Sequence, residues 1–376
     1  MELFDVYPLY DITPVKGKGA YVYDENNTAY LDLYGGHAVI SVGHAHPKYV
    51  KALGEQVEKL GFYSNSVKNP LQEELAKKLG DLSGCSEYKL FLCNSGAEAN
   101  ENALKLASFH TGKSRVIYFE NAFHGRTSGV VAVTDNESIK APFNQQHSVT
   151  KLAFEDVEVL EKELQKEDVA AVIFEVIQGV GGLEEASSEF IRTVSDLCKK
   201  HEALLIADEV QCGYGRTGDF FAFQKHGIKP DIISVAKGMG NGFPVGGILV
   251  SPSIQPKHGF LGTTFGGNHL ACAAGIAVLD ILKDENLLEN AEKLIQYVKE
   301  RAAEIPQIKK LKGRGLMIGL EFDFEVAALR KKLLFEHRVF TGAASNKKLL
   351  RILPPLNIQK EHFNEFFDAL KKALNN

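Results

Sequence analysis

The sequence predicts an α/β protein: a large domain whose mostly parallel sheet is covered by helices, with a smaller α+β domain beside it. Three observations carry this expectation. From about residue 89 to residue 251, short β-branched and apolar runs alternate with stretches of helical period, the pattern of strands joined by crossover helices. After Asn268 the text changes to long helices around a few short strands. A chain of 376 residues also exceeds what one hydrophobic core usually holds.

Along the chain, each element follows from local signals. GAYVYDENNTAYLDLYG reads as two strands about a turn at Glu25 to Asn27. Six runs then qualify as strands of the large domain: KLFLC, RVIYF, VAAVIFE, LLIADEV, DIISVA and GGILVS. Two intervening helices are legible by period. EANENALKLASFH turns Ala99, Ala103, Leu104, Leu106 and Ala107 inward. SSEFIRTVSDLCKKH opens on serines suited to capping and gathers Phe190, Ile191, Val194, Leu197 and Cys198 on one face. HLACAAGIAVLDILKDENLLENAEKLIQYVKERAAEI follows as helix, KGRGLMIGLEF as a short strand, and EHFNEFFDALKKAL as a closing amphipathic helix. The expected domains are residues 46–268 for the large one and, discontinuously, 1–45 with 269–376 for the small one.

Bulk properties narrow the partners. Lys and Arg total 43 against 48 Asp and Glu, a net charge of −5 without basic runs or acidic tails, which argues against nucleic acid or a membrane surface and for small-molecule chemistry. The five cysteines (Cys85, Cys93, Cys198, Cys212, Cys272) never form C-x-x-C and lie mostly in apolar text, as reduced thiols of a cytoplasmic protein would. The amino terminus carries acidic residues where a signal peptide is positive, and no apolar run approaches the roughly 18 residues of a bilayer span. A soluble, unprocessed, cytoplasmic protein is expected.

The chemistry begins with Lys237 and Asp208. Each closes an apolar run and is followed by glycine-rich chain, which points to a crevice at the carboxyl ends of strands. The pair suits pyridoxal phosphate: the amine can condense with its aldehyde, and the carboxylate can keep its ring nitrogen protonated so that the ring accepts electrons. Such residues are common at strand ends, so the pair needs company. Ser95, Gly96 and Ala97 join a strand to a helix, where free N–H groups and the helix dipole favour an anion, although Ser95 reads equally well as an ordinary N-cap. Phe123, His124 and Arg126 follow RVIYF, offering a ring for stacking and an arginine for a carboxylate, or else a core residue and a surface ion pair. Arg351 interrupts the apolar LLRILPPL and requires a partner, which a substrate carboxylate could supply.

Two motifs are set aside. GYGRTG at residues 213–218 fits the dinucleotide fingerprint formally, but DEVQC separates it from the strand and no helix opens on RTG. His37, His44 and His46 lie close in sequence without a Cys or carboxylate at ligand spacing, so no metal site is expected.

Taken together, NSGAEANENALKLA, FHGRT, IQGVGG, DEVQCGYGRTGDFFAF, AKGMGNGFPVGG, GTTFGGNHLACAA and RGLMIGLEF resemble, in order and over nearly the whole chain, the class III pyridoxal-phosphate-dependent aminotransferases. Within that family the resemblance is greatest to the N-acetylornithine (or N-succinylornithine) aminotransferases. It implies a fold-type I transferase and a cytoplasmic homodimer with shared active sites. By the same resemblance Lys237 holds the cofactor and moves the substrate proton, Asp208 pairs with the ring nitrogen, and Gln211 bonds the ring hydroxyl. Phe123 and Val210 enclose the ring. Ser95, Gly96 and Ala97 bind the phosphate, completed by Thr264 of the neighbouring subunit. Arg126, with Glu175 as its partner, takes the α-carboxylate of an acylornithine, and Arg351 takes that of glutamate or 2-oxoglutarate. The implied reaction carries the terminal amine of an N2-acylornithine to 2-oxoglutarate, in arginine biosynthesis.

One departure bears on the substrate. Members of the family usually have glutamate where this chain has Val180, in the loop Gln178 to Gly182, and that glutamate neutralises the arginine matching Arg351. Either another acid such as Glu184 replaces it, or the site stays electropositive and favours a donor with an additional carboxylate, N-succinylornithine. A 4-aminobutyrate or ornithine aminotransferase, an aminomutase, and a non-catalytic pyridoxal-phosphate-binding homologue remain as alternatives.

Overall fold

The structure, a computed structural model, describes residues 1–375. Three sheets are built from fourteen strands. Near the amino terminus run β1 (Pro14–Lys18), β2 (Tyr21–Asp24) and β3 (Ala29–Asp32); the middle of the chain supplies β4 (Lys89–Cys93), β5 (Arg115–Phe119), β6 (Val149–Leu152), β7 (Val169–Phe174), β8 (Leu204–Asp208), β9 (Ile232–Val235) and β10 (Gly246–Val250). The carboxyl-terminal part adds β11 (Lys310–Arg314), β12 (Met317–Glu321), β13 (Val339–Phe340) and β14 (Leu349–Ile352).

The central sheet has seven strands in the order β4-β10-β9-β8-β7-β5-β6. All are parallel except β10, which runs antiparallel to both β4 and β9. Alternation along the buried strands sorts their side chains onto two covered faces. Tyr118, Ala171, Ile173, Ile206 and Ile232 meet Ala99, Ala103 and Leu106 of the Gly96–Thr111 helix on one side. Ile117, Phe119, Val172, Leu205, Ala207 and Ile233 join the other core, which includes Phe190, Ile191 and Val194 of the Ser188–Lys200 helix. Burial on both faces is why these strands read as continuous apolar runs.

The two helices are capped as their serines foretell: the Ser95 hydroxyl accepts the Glu98 N–H at 3.1 Å and Ser187 accepts that of Phe190 at 3.1 Å. The turn between β2 and β3 has Asn27 at φ 61°. The small sheets join distant parts of the chain. β13 pairs with β3 in a sheet ordered β1-β2-β3-β13, and β14 pairs with β12 in a sheet ordered β11-β12-β14. The His269–Asp284 helix lies along the Pro47–Lys59 and Pro70–Ser83 helices.

Several elements go beyond what the sequence pattern predicts, four of them instructive. β1 and β6 are edge strands, β1 mostly exposed and β6 mostly half-buried, so they lack the apolar signal of the central strands. KGRGLMIGLEF is a hairpin, β11 turning into β12 through Gly315 at φ 56°, not a single strand. The Ala327–Phe335 helix was also not anticipated.

Candidate active site

Five parallel strands end at the same edge of the central sheet, and the residues just beyond them face one cavity of about 400 Å³. From β4 come Ser95, Gly96 and Ala97; from β5, Phe123 and Arg126; from β7, Glu175; from β8, Asp208, Val210 and Gln211; from β9, Lys237. Ten of the twelve expected residues therefore share one wall, and Arg351 and Thr264 do not line it.

At one side the Gly96–Thr111 helix points its first turn at the cavity. Ser95 both caps this helix and lines the cavity, so its two readings coexist. The N–H groups of Gly96 and Ala97 have no partner among the described residues. A Cβ on residue 96 would stand 2.7 Å from Val210 Cγ1, and one on Gly125, at φ 144°, would stand 3.0 Å from Ala97 Cβ. Only glycine at these points leaves backbone N–H groups open to an anion this close to a neighbouring loop.

Asp208 is gripped by four donors: the Asn100 amide at 2.8 Å and His124 Nδ1 at 2.7 Å on Oδ2, the Val210 N–H at 3.0 Å and the Ser234 hydroxyl at 3.4 Å on Oδ1. The second hydrogen of the Asn100 amide goes to the His124 carbonyl at 2.8 Å, so Asn100 braces both members of the pair. Sequence reasoning assigned neither residue this role. His124 stands within FHGRT, and Asn100 is signalled only as a polar residue on the inward face of an otherwise apolar helix.

Lys237 follows β9 with its backbone in the left-handed region, φ 44°. Its amine has no hydrogen-bond partner among the described residues. Burial pushes it below the usual lysine range and Arg351 adds to this, against the opposing pull of Asp208 and Glu175. A lowered amine is available as a nucleophile and base nearer neutral pH.

Glu175 is not the partner of Arg126. Its carboxylate is turned inward and accepts the N–H groups of Phe123 at 3.0 Å and Gly179 at 2.9 Å, while Arg126 is exposed at the cavity wall without an ion pair among the described residues. Two converging backbone donors outbid a flexible arginine at the solvent boundary, and sequence spacing does not reveal such a trap. Burial raises the Glu175 carboxyl above the ordinary range, opposed by His124 and reinforced by Asp208.

Arg351 lies behind the cavity wall. It sits on β14 between Gly319 and Gly342, is 4% exposed, and donates to the Gly179 carbonyl and to Gln211 Oε1 at 3.4 Å. Gln211 thus engages Arg351 from one end while lining the cavity. Burial lowers the guanidinium from its ordinary value, partly offset by Tyr34 and Glu175. Glu184 does not stand in for an acid at residue 180, because it pairs with Lys312; no carboxylate bonds Arg351 among the described residues. Thr264 is exposed, beside Phe265, and does not line this cavity. His37, His44 and His46 go to three separate partners: the Tyr34 hydroxyl at 2.5 Å, Asp32 at 2.8 Å and Glu285 at 2.9 Å.

Comparison with known proteins places this geometry. Residues 6–374 match the family described as aminotransferase class-III. The chain is 43% identical to an acetylornithine aminotransferase of Aquifex aeolicus, over 99% of each chain. It superposes with a TM-score of 0.84 and 32% identity on the acetylornithine aminotransferase of Elizabethkingia anophelis, covering 98% of this chain and 94% of that one. The corresponding values for the ornithine aminotransferase of Toxoplasma gondii, whose structure reveals partial occupancy of PLP at its active site, are 0.89 and 30%, over 97% and 90%. A mostly parallel sheet with an amine, a buried carboxylate and an open helix N-terminus at its carboxyl edge, matched over nearly the full length, means that the chain belongs to the class-III aminotransferases, enzymes that work on pyridoxal phosphate.

Proposed function

We propose that the protein moves the terminal amine of an N2-acyl-L-ornithine to 2-oxoglutarate, giving the N-acylglutamate semialdehyde and glutamate, as a cytoplasmic enzyme of arginine biosynthesis. The observation that carries this reading is the desolvated Lys237 amine sharing one cavity with the braced Asp208, with Arg126 at its wall and Arg351 just behind it.

The residues present fit the cofactor. The bare Cα of Gly96 and the free N–H groups beside it suit a phosphate, Phe123 and Val210 border the space for a ring, and Asp208, fixed by its hydrogen bonds at the cavity, is placed to pair with the ring nitrogen. Pyridoxal phosphate, when bound, supplies an aldehyde and an electron-accepting ring. Lys237 receives the proton lost from the substrate carbon and returns it, which its lowered basicity favours. Arg126, left free by Glu175, binds the α-carboxylate of the acylornithine, and Arg351 binds that of 2-oxoglutarate.

Arg351 without a carboxylate partner keeps the site electropositive, which favours N-succinylornithine over N-acetylornithine as donor. The enzyme is proposed as a homodimer in which Thr264 reaches the neighbouring subunit's phosphate site. Residues 46–268 form the large domain, and 1–45 with 269–376 the small one; the His269–Asp284 helix joins them, since it packs on helices of the large domain.

Single-turnover absorbance of the pyridoxal-phosphate-loaded protein, mixed separately with N-acetylornithine, N-succinylornithine, ornithine and 4-aminobutyrate, tests the reading. Conversion of the cofactor to its amine form is expected to be fastest with N-succinylornithine, and Val180→Glu is expected to lower the succinyl-to-acetyl ratio of kcat/KM. An unchanged ratio would remove the succinyl preference. Conversion only by ornithine or 4-aminobutyrate would assign the protein to one of those specificities.

A further inference from the structure

The loop GYGRTG, residues 213–218, contains one of the most deeply buried cations of the described residues. Arg216 is 2% exposed and forms no ion pair among the described residues. Its Nη1 donates instead to two carbonyls, that of Leu316 at 3.3 Å and that of Pro354. Its own carbonyl accepts the Leu316 N–H at 2.9 Å. Burial pushes the guanidinium down to about 9, opposed only by the charge of Asp32.

These contacts converge on one sheet. Leu316 lies in the turn between β11 and β12, and Pro354 lies just past β14, the strand that carries Arg351. Gly315, in the same turn, is pressed so closely on the loop that a Cβ would stand 2.7 Å from the Arg216 carbonyl oxygen and 2.7 Å from the Gly218 nitrogen. On its other side, the loop continues from the segment that carries Asp208 and Gln211. A buried cation with only carbonyl partners is costly, and an apolar side chain would fill the space without that cost. What a guanidinium adds is a rigid, directional hold on two separate carbonyls.

We propose that Arg216 is a positioning residue for Arg351: by clamping the β11–β12 turn and the chain after β14 to the loop that follows Asp208, it sets where the carboxylate-binding guanidinium stands relative to the cavity. The proposal rests on the reading of Arg351 as the arginine that binds the carboxylate of 2-oxoglutarate. A misplacement of about 1 Å at such a group can cost on the order of a hundredfold in rate. The effect is confined to the half-reaction that uses Arg351, because the cofactor contacts and Arg126 come from strands of the central sheet.

The test uses the loaded enzyme and its Arg216→Lys, Arg216→Met, Gly315→Ala and Arg351→Lys variants. The half-reaction with N-acetylornithine and that of the aminated enzyme with 2-oxoglutarate are measured separately, with the cofactor absorbance and melting temperature alongside. Arg216→Met and Gly315→Ala are expected to raise the KM for 2-oxoglutarate about tenfold or more while the N-acetylornithine half-reaction stays within about twofold. Arg216→Lys, which keeps one donor, should fall between. A parallel loss in both half-reactions, or none in either, overturns the proposal. If Arg351→Lys leaves the KM for 2-oxoglutarate unchanged, the reading of Arg351 fails and the proposal falls with it. If Arg351→Lys raises that KM and the Arg216 and Gly315 variants do not, only the positioning role fails. Should Arg216→Met not fold, Arg216→Lys and Gly315→Ala decide the question.

Discussion

The braced carboxylate at Asp208 shows how much a single residue's role depends on its donors. Asn100 bonds both Asp208 and the His124 carbonyl, and a hydrogen bond to a charged group contributes about 1.5–3 kcal/mol. Asn100→Ala is therefore expected to weaken pyridoxal phosphate binding by roughly tenfold or more, because the Asp208 charge loses a fixed donor and its pairing with the ring nitrogen is less well set. Titration of the apoenzyme with the cofactor checks this; an unchanged affinity would mean that His124, the Val210 N–H and Ser234 suffice. Lys237, Asp208 and their place at strand ends were legible from sequence, since apolar runs announce buried strands and the first polar residue marks their end. The donors of Asp208 were not, because Asn100 and His124 belong to other elements, and nothing in spacing tells which carboxylate they face. For the same reason Glu175 was paired with Arg126 on paper, whereas backbone N–H groups capture it in the fold.

Among the elements, the Gly96–Thr111 helix joins capping, packing and binding in one turn. Gly96→Ala would set a Cβ 2.7 Å from Val210 Cγ1, forcing Val210 toward the cofactor space. Overpacking of this kind costs about 1–3 kcal/mol, and here much of it should appear as weaker cofactor binding. Gly54→Ala, in the Pro47–Lys59 helix with nothing within 4 Å, is the control. It should leave cofactor affinity unchanged and stabilise the protein by up to about 1 kcal/mol through helix propensity. Cofactor titration and thermal melting of the two variants separate these outcomes, and equal affinities would refute the cradle at Gly96. The strands of the central sheet were legible because both of their faces are covered. β1 and β6, at sheet edges, carry too little apolar pattern to stand out.

At the scale of the whole molecule, the proposed dimer turns on the exposed surface around Thr264, which does not line the cavity of its own chain. Thr264 is exposed beside Phe265, which is 60% exposed and meets the exposed Phe62 at a tilt of 49°, with 5.4 Å between ring centroids. Phe265→Asp is expected to convert the protein to monomers in sedimentation equilibrium and to lower cofactor retention with them, since the phosphate site would lose its second contributor. A wild-type monomer with full activity would exclude shared sites. The clamp at Arg216 ties the loop after Asp208 to the strands that hold Arg351, whereas Arg126 follows β5 of the central sheet, so the two arginines proposed to bind carboxylates are placed by separate parts of the chain. The sequence by itself determined the α/β alternation, the strand ends and the chemical identity of the residues placed there, because local period and the first polar residue after an apolar run are properties of contiguous text. Only the tertiary structure decided which of those residues meet: it gave Asp208 its donors, took Glu175 from Arg126, left Arg351 without an acid among the described residues and set it behind Gln211. Those outcomes depend on close approach between segments far apart in the chain, where competing donors and available space, not sequence spacing, select the partner.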